Sequence, residues 1–245
     1  MVELAPLGRK RALFVMAAEV EYGPHLRARF VPLMTGIGPV EAALHTGIAL
    51  ARLEAADDLP DLIVCLGSAG SRRCALGSVH QIGSVSWRDI DASPLGIAPG
   101  VVPYLDEPVD LPLDCPLPLP VATLSSGGDV VSGDGWNRIA ADMVDMETYA
   151  VARAARTFGV PLVALRGVSD GGRANWRVRT TGTSCWAIST GNWPKRWTCW
   201  PRITPKATGT GPPAPRSSGW TARPRPARGC RAWRSPGAGW GQGRR

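Results

Sequence analysis

The sequence predicts an α/β fold in three layers, with a mainly parallel or mixed sheet between helices. Apolar runs of strand length alternate with segments of helical periodicity along much of the chain, as expected when helices cover a sheet. The segment 61–66 is apolar at every position after the first, which is typical of a strand buried on both faces. The segment 144–170 has the pattern of a strand, a helix and a second strand.

The predicted elements follow in order. The strands are expected at 12–18, 29–34, 61–66, 80–87, 121–125 and 160–169, and the helices at 40–54 and 146–158. The first helix has Gly38 and Pro39 where a helix start tolerates them, and the second ends on Gly159. Small residues at 67–71 predict a turn through which backbone amides can approach a ligand. Residues 97–120 are rich in Pro and acids and predict a surface loop.

Charge divides the chain of 245 residues into two unlike parts. Residues 1–172 hold 13 basic and 20 acidic side chains, whereas residues 173–245 hold 15 basic side chains and no acidic one. The net charge of +8 therefore comes from the last segment, and a basic surface on the folded part does not follow. We predict a domain over 11–172 and an aberrant, disordered tail rich in Arg, Trp and Pro over 173–245.

The six cysteines show neither Cys-x-x-Cys spacing nor a nearby pair of histidines. This pattern supports neither a zinc site nor a disulfide framework, and it favours a reduced cytoplasmic protein. The apolar run at 12–18 is short and ends in acids, so we interpret it as a buried strand and not as a secretory signal. No metal and no organic cofactor is implied.

Two carboxylates stand at the ends of elements in the segment 144–170. Glu147 opens the predicted helix, and Asp170 follows the predicted last strand. Ligands of open α/β sheets bind outside the carboxyl ends of the strands, so both acids are expected to face one crevice. The alternative is structural: Glu147 complements a helix N-terminus, and Asp170 caps the turn before Gly171.

The residue types in these motifs identify a protein family more specifically than their spacing does. The segments Val-Asp-Met-Glu at 144–147 and Leu-Arg-Gly-Val-Ser-Asp at 165–170 resemble the signature of the purine nucleoside phosphorylase superfamily. They are most similar to its 5′-methylthioadenosine/S-adenosylhomocysteine nucleosidase branch. The resemblance runs from about Arg11 to Gly172 and implies a three-layer nucleoside-phosphorylase-like fold, a homodimer, and hydrolysis of an adenine N-glycosidic bond by carboxylate acid/base catalysis.

The resemblance also implies roles for particular residues. Glu19 matches the family's Met-Glu-Glu-Glu-Val segment and would activate water, although it can also be read as a solvated acid beside Glu21. Glu147 would accept hydrogen bonds from the ribose hydroxyls, and Met146 would pack against the sugar. Asp170 would protonate or hydrogen-bond N7 of adenine, oriented by Ser169. A small-residue turn would lie near the sugar and base: Ser68, Ala69 and Gly70.

Two positions depart from the family pattern. Nucleosidases carry an aromatic that stacks on adenine where this chain has Val130, and Leu95 takes the place of a residue that the neighbouring subunit adds to the 5′-thioalkyl pocket. The backbone of Val131 would still contact the purine edge. These departures leave the preferred 5′ substituent open.

Two other functions are compatible with parts of the sequence. A phosphate-dependent purine nucleoside phosphorylase is the first, but the acids Glu19 and Glu21 would repel phosphate, and Leu66 stands where a phosphorylase tends to carry an arginine nearby. The second is a nucleic-acid-binding protein with a basic tail, since cationic grooves with stacking aromatics bind single strands. The tail lacks a recognisable module, and salt-dependent binding of random oligonucleotides would be the test for it.

The tail has the composition of a misread gene. Eight of the ten tryptophans lie beyond residue 172, where the family resemblance stops. Trp has one codon, so its bases are known. If the third base of each codon is read with the first two bases of the next codon, the codons overlapping Trp186, Trp193 and Trp200 encode apolar residues. Their seven-residue spacing is that of an amphipathic helix, and proteins of the family that this chain resembles end in such a helix. We therefore expect a frameshift, and low or absent activity of the chain as it stands; the alternative is a genuine low-complexity tail.

Overall fold

The computed structural model describes residues 2–171. The predictions for residues 173–245, namely disorder, a frameshift and a missing last helix, lie outside the described residues, as does Gly172. The predicted α/β class is confirmed: strands and helices alternate, and helices pack on both faces of a mixed sheet. The same layout is expected from a chain in which strand-length apolar runs alternate with amphipathic helices.

Nine strands make up the described sheet. Their bounds are β1 Ala5–Leu7, β2 Lys10–Met16, β3 Leu33–Met34, β4 Leu62–Gly70, β5 Val79–Trp87, β6 Leu111–Pro112, β7 Val121–Ser126, β8 Met143–Asp145 and β9 Leu162–Asp170. The helices are α1 Pro24–Arg27, α2 Pro39–Ala55 and α3 Thr148–Thr157, and 3₁₀ turns lie at Glu19–Glu21, Ser93–Leu95 and Gly133–Arg138.

The strand pairings bring the motifs together. The strand order is β1-β2-β4-β8-β7-β5-β6, with β3 beside β2 and with β9 paired to both β4 and β5. Strand β9 runs parallel to β4, with Ser68 opposite Gly167 and Ala69 opposite Val168. Strand β8 is parallel to β7 and antiparallel to β4. The end of β8 therefore meets the ends of β4 and β9, although more than 70 residues separate β4 from β8 in the sequence.

Two apolar clusters hold the helices on the sheet. On one face, α2 and α3 pack on strands through residues such as Leu50 and Val151, both of which are fully buried. On the other face, the segment around α1 covers the sheet, and Phe14 stacks on Phe30 with ring centroids 3.8 Å apart. Burial of such side chains is worth about 1.5–3 kcal/mol each, so both faces contribute to placing the strand ends.

Three predictions about elements were wrong. Residues 97–120, expected to be a surface loop, contain strand β6, which pairs with β5 and places the fully buried Leu111 in the core. Residues 67–70, expected in a turn, continue strand β4 and pair with β9, because hydrogen bonding to a neighbouring strand satisfies backbone groups that a turn would expose. The strand expected at 29–34 is reduced to Leu33–Met34, since a turn follows α1, in which the Arg29 and Phe30 amides donate to the Leu26 carbonyl. Local apolar patterns do not distinguish these cases.

Candidate active site

The carboxyl ends of several strands surround one cavity of about 230 Å³. It opens between the segment after β2, the end of β4, the loop after β7, the end of β8 and the end of β9. Nine of the eleven predicted site residues line it: Ser68, Ala69, Gly70, Val130, Val131, Met146, Glu147, Ser169 and Asp170. The lining also includes Ala17, Ala18, Glu21, Ile37, Arg88, Asp129, Val144 and Asp145. Glu19 and Leu95 do not belong to it.

Glu21 is the acid from the first segment that reaches the cavity. Its side chain is buried, and its Oε1 accepts the backbone N–H of Ser68 at 2.8 Å. Its Oε2 is buried without a hydrogen-bond partner among the described residues. Burial raises the pKa of Glu21, and the Ser68 hydrogen bonds and the charge of Arg166 oppose that rise. An unpaired carboxylate oxygen in a cavity is a natural place for a water molecule or a substrate hydroxyl.

Glu19 lies on the outside of the same turn. Its side chain is 63% exposed and pairs with Arg27, which also stacks over the Tyr22 ring at 4.4 Å. A 3₁₀ turn has three residues per turn, so positions 19 and 21 cannot share one side of it. The sequence motif pointed to Glu19, but the conformation of Glu19–Glu21 directs only Glu21 inward.

Glu147 directly precedes α3, and its side chain contacts the N-terminal end of α2. Its Oε1 accepts the N–H of Gly38, the residue before α2, at 2.8 Å. Gly38 has φ 98°, which favours glycine, and so the close contact depends on both residues. Burial, followed by the charge of Asp145, raises the pKa of Glu147 to about 7. Near neutral pH this carboxyl is therefore divided between its two forms.

Asp170 ends β9 beside Ser169. The Ser169 hydroxyl donates to Oδ1 of Asp170 at 2.6 Å, and Oδ2 lies 3.2 Å from the point where a Cβ on Gly70 would stand. The turn that follows is set by Gly171, which has φ 111°; a Cβ on it would lie 2.4 Å from the Ser71 backbone nitrogen. The serine and the two glycines therefore hold Asp170 at the cavity wall.

A buried ion pair lies behind these acids. Asp145 accepts Nε of Arg166 at 3.0 Å and Nη2 at 2.9 Å, both on Oδ2. Burial by itself would lower the pKa of Arg166, but the neighbouring Cys65 and Asp145 raise it overall, so Arg166 stays charged. The guanidinium lies beside Gly67, where a Cβ would stand 3.2 Å from Nη1 and 3.5 Å from Oε2 of Glu21. One buried cation thus lies among three buried or half-buried carboxyls.

Apolar residues form part of the cavity wall near Gly70. Val131 packs with Trp136 and Val144 in a small buried cluster, and a Cβ on Gly70 would stand 3.4 Å from the Trp136 ring. Trp136 backs this wall and is not among the residues lining the cavity. Leu95 is 77% exposed in the turn Ser93–Leu95 and does not reach the cavity of its own chain.

Several site residues were missed by the sequence analysis. Arg166 and Asp145 carry a usable signal, since each is a charged residue that directly follows buried apolar residues of its strand, at 162–165 and 143–144. Arg88 carries none: it follows β5 and donates to the carbonyls of Ser125 (2.7 Å) and Asp145 (2.9 Å) and to the Asp129 carboxylate (2.9 Å). Only the fold brings those acceptors to one arginine.

Metal sites and membrane spans were also considered. Within residues 2–171, no three His, Cys, Asp or Glu side chains are arranged to hold a metal ion. Among the described helices, none has both the length and the apolar character needed to cross a membrane.

The family model of the phosphorylase superfamily matches residues 129–184 of this chain. The chain belongs to the family of 5′-methylthioadenosine/S-adenosylhomocysteine nucleosidases. It is 30% identical over 161 residues to the nucleosidase of Actinobacillus succinogenes, a match that covers 58% of this chain and 68% of that one. With the Staphylococcus aureus nucleosidase the identity is 32% over 160 residues, covering 56% and 66%.

The solved structures agree on the fold. A futalosine hydrolase mutant of Helicobacter pylori superimposes with a TM-score of 0.55 at 19% identity, covering 65% of this chain and 85% of that chain. At such identity the likeness concerns the fold alone. The present chain spans about two thirds of the length of the curated relatives.

Proposed function

We propose that the protein hydrolyses the N-glycosidic bond of 5′-methylthioadenosine and S-adenosylhomocysteine and releases adenine. The observation that carries this proposal is the convergence of Glu21, Glu147 and Asp170, from three separate segments, on one cavity with an apolar wall. Cleavage of a ribosyl bond creates a sugar cation and a purine anion, so it needs an acid for the base and a carboxylate that activates water. The activities named for the curated relatives support the same reaction.

Each bond change has a candidate residue. Asp170 gives its proton to N7 of adenine while the bond between C1′ and N9 breaks. The oxygen of a water molecule then bonds to C1′, and Glu21 accepts the proton that the water loses. The products are adenine and the ribose that keeps its 5′-thioalkyl group. Glu21 ends with one proton more and Asp170 with one fewer, so exchange with solvent restores the starting state.

The sugar is assigned to the loop before α3. Glu147 would accept hydrogen bonds from the ribose hydroxyls, and Met146 would pack against the ring. Ser68, Ala69 and Gly70 line the cavity from the end of β4, near the sugar and the base, and the backbone of Val131 is available to the purine edge. Val130 would contact adenine, and the apolar Ile37 suits a thioalkyl group, because burying apolar surface is favourable by about 25 cal/mol per Å².

A phosphorylase would need an anion site where the water is placed. The Ser68 amide, which could serve a phosphate, is occupied by the Glu21 carboxylate. The two arginines near the cavity are engaged: Arg166 by Asp145, and Arg88 by Asp129 and carbonyl oxygens. Phosphate binding favours free arginine forks and open amides, so hydrolysis is the better supported reaction.

Phosphate dependence is the direct test. We expect adenine release from methylthioadenosine at the same rate with and without millimolar phosphate, because water is the acceptor. The assay should use the chain as it stands and a chain with the frame-corrected ending, since low activity is expected of the first. Release that requires phosphate would reassign the protein as a phosphorylase, and binding without release from either chain would contradict both reactions.

A homodimer is also part of the proposal. Val40, Leu44 and Ile48 are exposed at four-residue spacing on α2, and so form one apolar stripe. Ile37, just before this helix, is exposed and also lines the cavity. We infer that a second copy covers this stripe, and that Leu95 of one copy reaches the 5′ end of the other copy's cavity.

The dimer is tested by the sedimentation of two variants. Leu44→Asp places a charge in the stripe and is expected to shift the protein to monomers, because an unpaired charge in an apolar interface is strongly unfavourable. Arg52→Asp, at the exposed C-terminal end of α2, is the control and should leave the oligomeric state unchanged. A wild-type protein that sediments as a monomer at micromolar concentration would contradict the proposal.

We further assign the enzyme to the cytoplasm, in nucleoside catabolism and methionine salvage. The cysteines of the described region, Cys65, Cys74 and Cys115, are free thiols, which suits a reducing compartment. Recovery of the protein outside the cytoplasm in cell fractionation would contradict this assignment.

A further inference from the structure

Asp145 is the most heavily hydrogen-bonded acid of the site. Its Oδ2 accepts the backbone N–H of Thr148 at 3.0 Å, the Thr148 hydroxyl, and both Nε and Nη2 of Arg166. Its Oδ1 accepts the Ser126 hydroxyl. With its side chain buried and its oxygens engaged by these donors, Asp145 is poorly placed to exchange protons with a ligand. Its effect must pass through the groups that it holds.

Arg166 is the group through which Asp145 can affect Glu21. Asp145 and Thr148 hold its Nε and Nη2, whereas its Nη1 donates to the Leu165 carbonyl at 3.1 Å and lies on the side of Gly67. On that same side stands Oε2 of Glu21, buried and unpaired among the described residues. A buried guanidinium and a buried carboxylate at such proximity would ordinarily close into an ion pair. Here they do not.

We propose that Asp145 is a positioning residue that holds Arg166 back from Glu21 and so keeps Oε2 of Glu21 free for the attacking water. This inference rests on the proposed function, in which Glu21 takes a proton from the attacking water. If Arg166 paired with Glu21 directly, it would occupy the lone pairs that must take the proton and would weaken the carboxylate as a base. Thr148 helps, because its hydroxyl bridges Asp145 and Arg166.

The charged and titratable groups around this centre come from every neighbouring element. Glu21 faces it from the 3₁₀ turn and Cys65 from β4, with the Cys65 sulfur 3.3 Å from Nη2 of Arg166. Glu147 faces it from the loop before α3, and Arg88 contacts the backbone carbonyl of Asp145. Burial raises the pKa of the Cys65 thiol, so Cys65 adds no negative charge near neutral pH. Two arginines and three carboxyls therefore set the balance.

The test follows the pKa of Glu21 itself, by ¹³C NMR titration of a glutamate-labelled protein with the resonance assigned through Glu21→Gln. We expect Asp145→Asn to lower the pKa of Glu21 by about 1–3 units, because the released guanidinium moves beside it. In an Arg166→Met background the same change should produce a clearly smaller shift, because only the direct effect of the Asp145 charge, which raises the pKa of Glu21, is then removed. An equal shift in both backgrounds would mean that Asp145 acts directly by its charge, and would overturn the proposal.

A second variant keeps the test valid if Asp145→Asn does not fold. Thr148→Val removes the bridging hydroxyl without changing any charge, and is expected to lower the pKa of Glu21 in the same direction. The control is Ser126→Ala, which removes a hydrogen bond to Oδ1, away from Arg166, and should leave that pKa unchanged. An unchanged pKa in Thr148→Val, or equal shifts in both variants, would overturn the proposal.

The readout needs no turnover, so it separates this proposal from the proposed function. A protein that releases no adenine but shows the expected shifts keeps the positioning role and loses the reaction. In an active protein, Thr148→Val should lower kcat more than it changes KM, because the base is weakened and the binding contacts remain.

Discussion

Replacing Asp170 with asparagine is expected to lower the rate of adenine release by about 10²–10⁴-fold, the usual contribution of a general acid. Asparagine has the same shape, and the Ser169 hydroxyl can still donate to its side-chain oxygen as it does to Asp170 at 2.6 Å. It has no acidic proton to give to N7. The measurements are kcat for methylthioadenosine and the dissociation constant of a non-hydrolysable analogue, which should stay close to the wild-type value.

The matched control is Asp134→Asn. Asp134 is exposed in the turn Gly133–Arg138 and does not line the cavity, so its loss should leave turnover unchanged. Near wild-type turnover in Asp170→Asn would refute the acid role. Equal losses of turnover and of analogue binding would instead indicate a role in binding.

The pair Glu21→Gln and Glu19→Gln is expected to separate two neighbouring acids. Glu21→Gln should reduce adenine release by about 10²-fold or more, because the amide cannot take a proton from water. Glu19→Gln should stay within about twofold of wild type, since Glu19 is exposed and its pairing with Arg27 at the surface is worth about 0–1 kcal/mol. Both kcat and the melting temperature should be compared.

The opposite result would contradict the assignment of Glu21 as the base. If Glu19→Gln abolished release and Glu21→Gln did not, the family's sequence motif would be the better guide, and the turn Glu19–Glu21 would have to rearrange when substrate binds. A drop in the melting temperature of Glu21→Gln alone would not explain a loss of kcat, provided that the variant is folded at the assay temperature.

Much of the fold could be predicted because its signals are local. The apolar run before Gly67 and the alternation of strands and helices are written in short windows of sequence, and the class they predict is confirmed. Glu147 and Asp170 could be proposed because they follow recognisable patterns at element ends. The length of β4 could not be predicted, because small residues at 67–70 suit both a turn and a strand whose partner is β9.

The choice between Glu19 and Glu21 shows where local signals end. Both acids lie in one short segment, and the alignment with the family's motif indicates Glu19. Which side chain points inward depends on a 3₁₀ turn and on the Ser68 amide, which is 47 residues away and meets Glu21 only after β4 is in place. No window of sequence around the segment contains that partner.

The sequence by itself determined the α/β class, the positions of the longer strands and helices, the family, and the placement of acids at strand ends, since these depend on residue type and spacing alone. Only the tertiary structure decided which acids share a cavity and how their charges are balanced. Arg166 is paired with Asp145, 21 residues away, and lies beside Glu21, 145 residues away, because β4, β8 and β9 meet at one point of the sheet. Burial and pairing are properties of three-dimensional neighbours, and they set the proton affinity of each carboxyl.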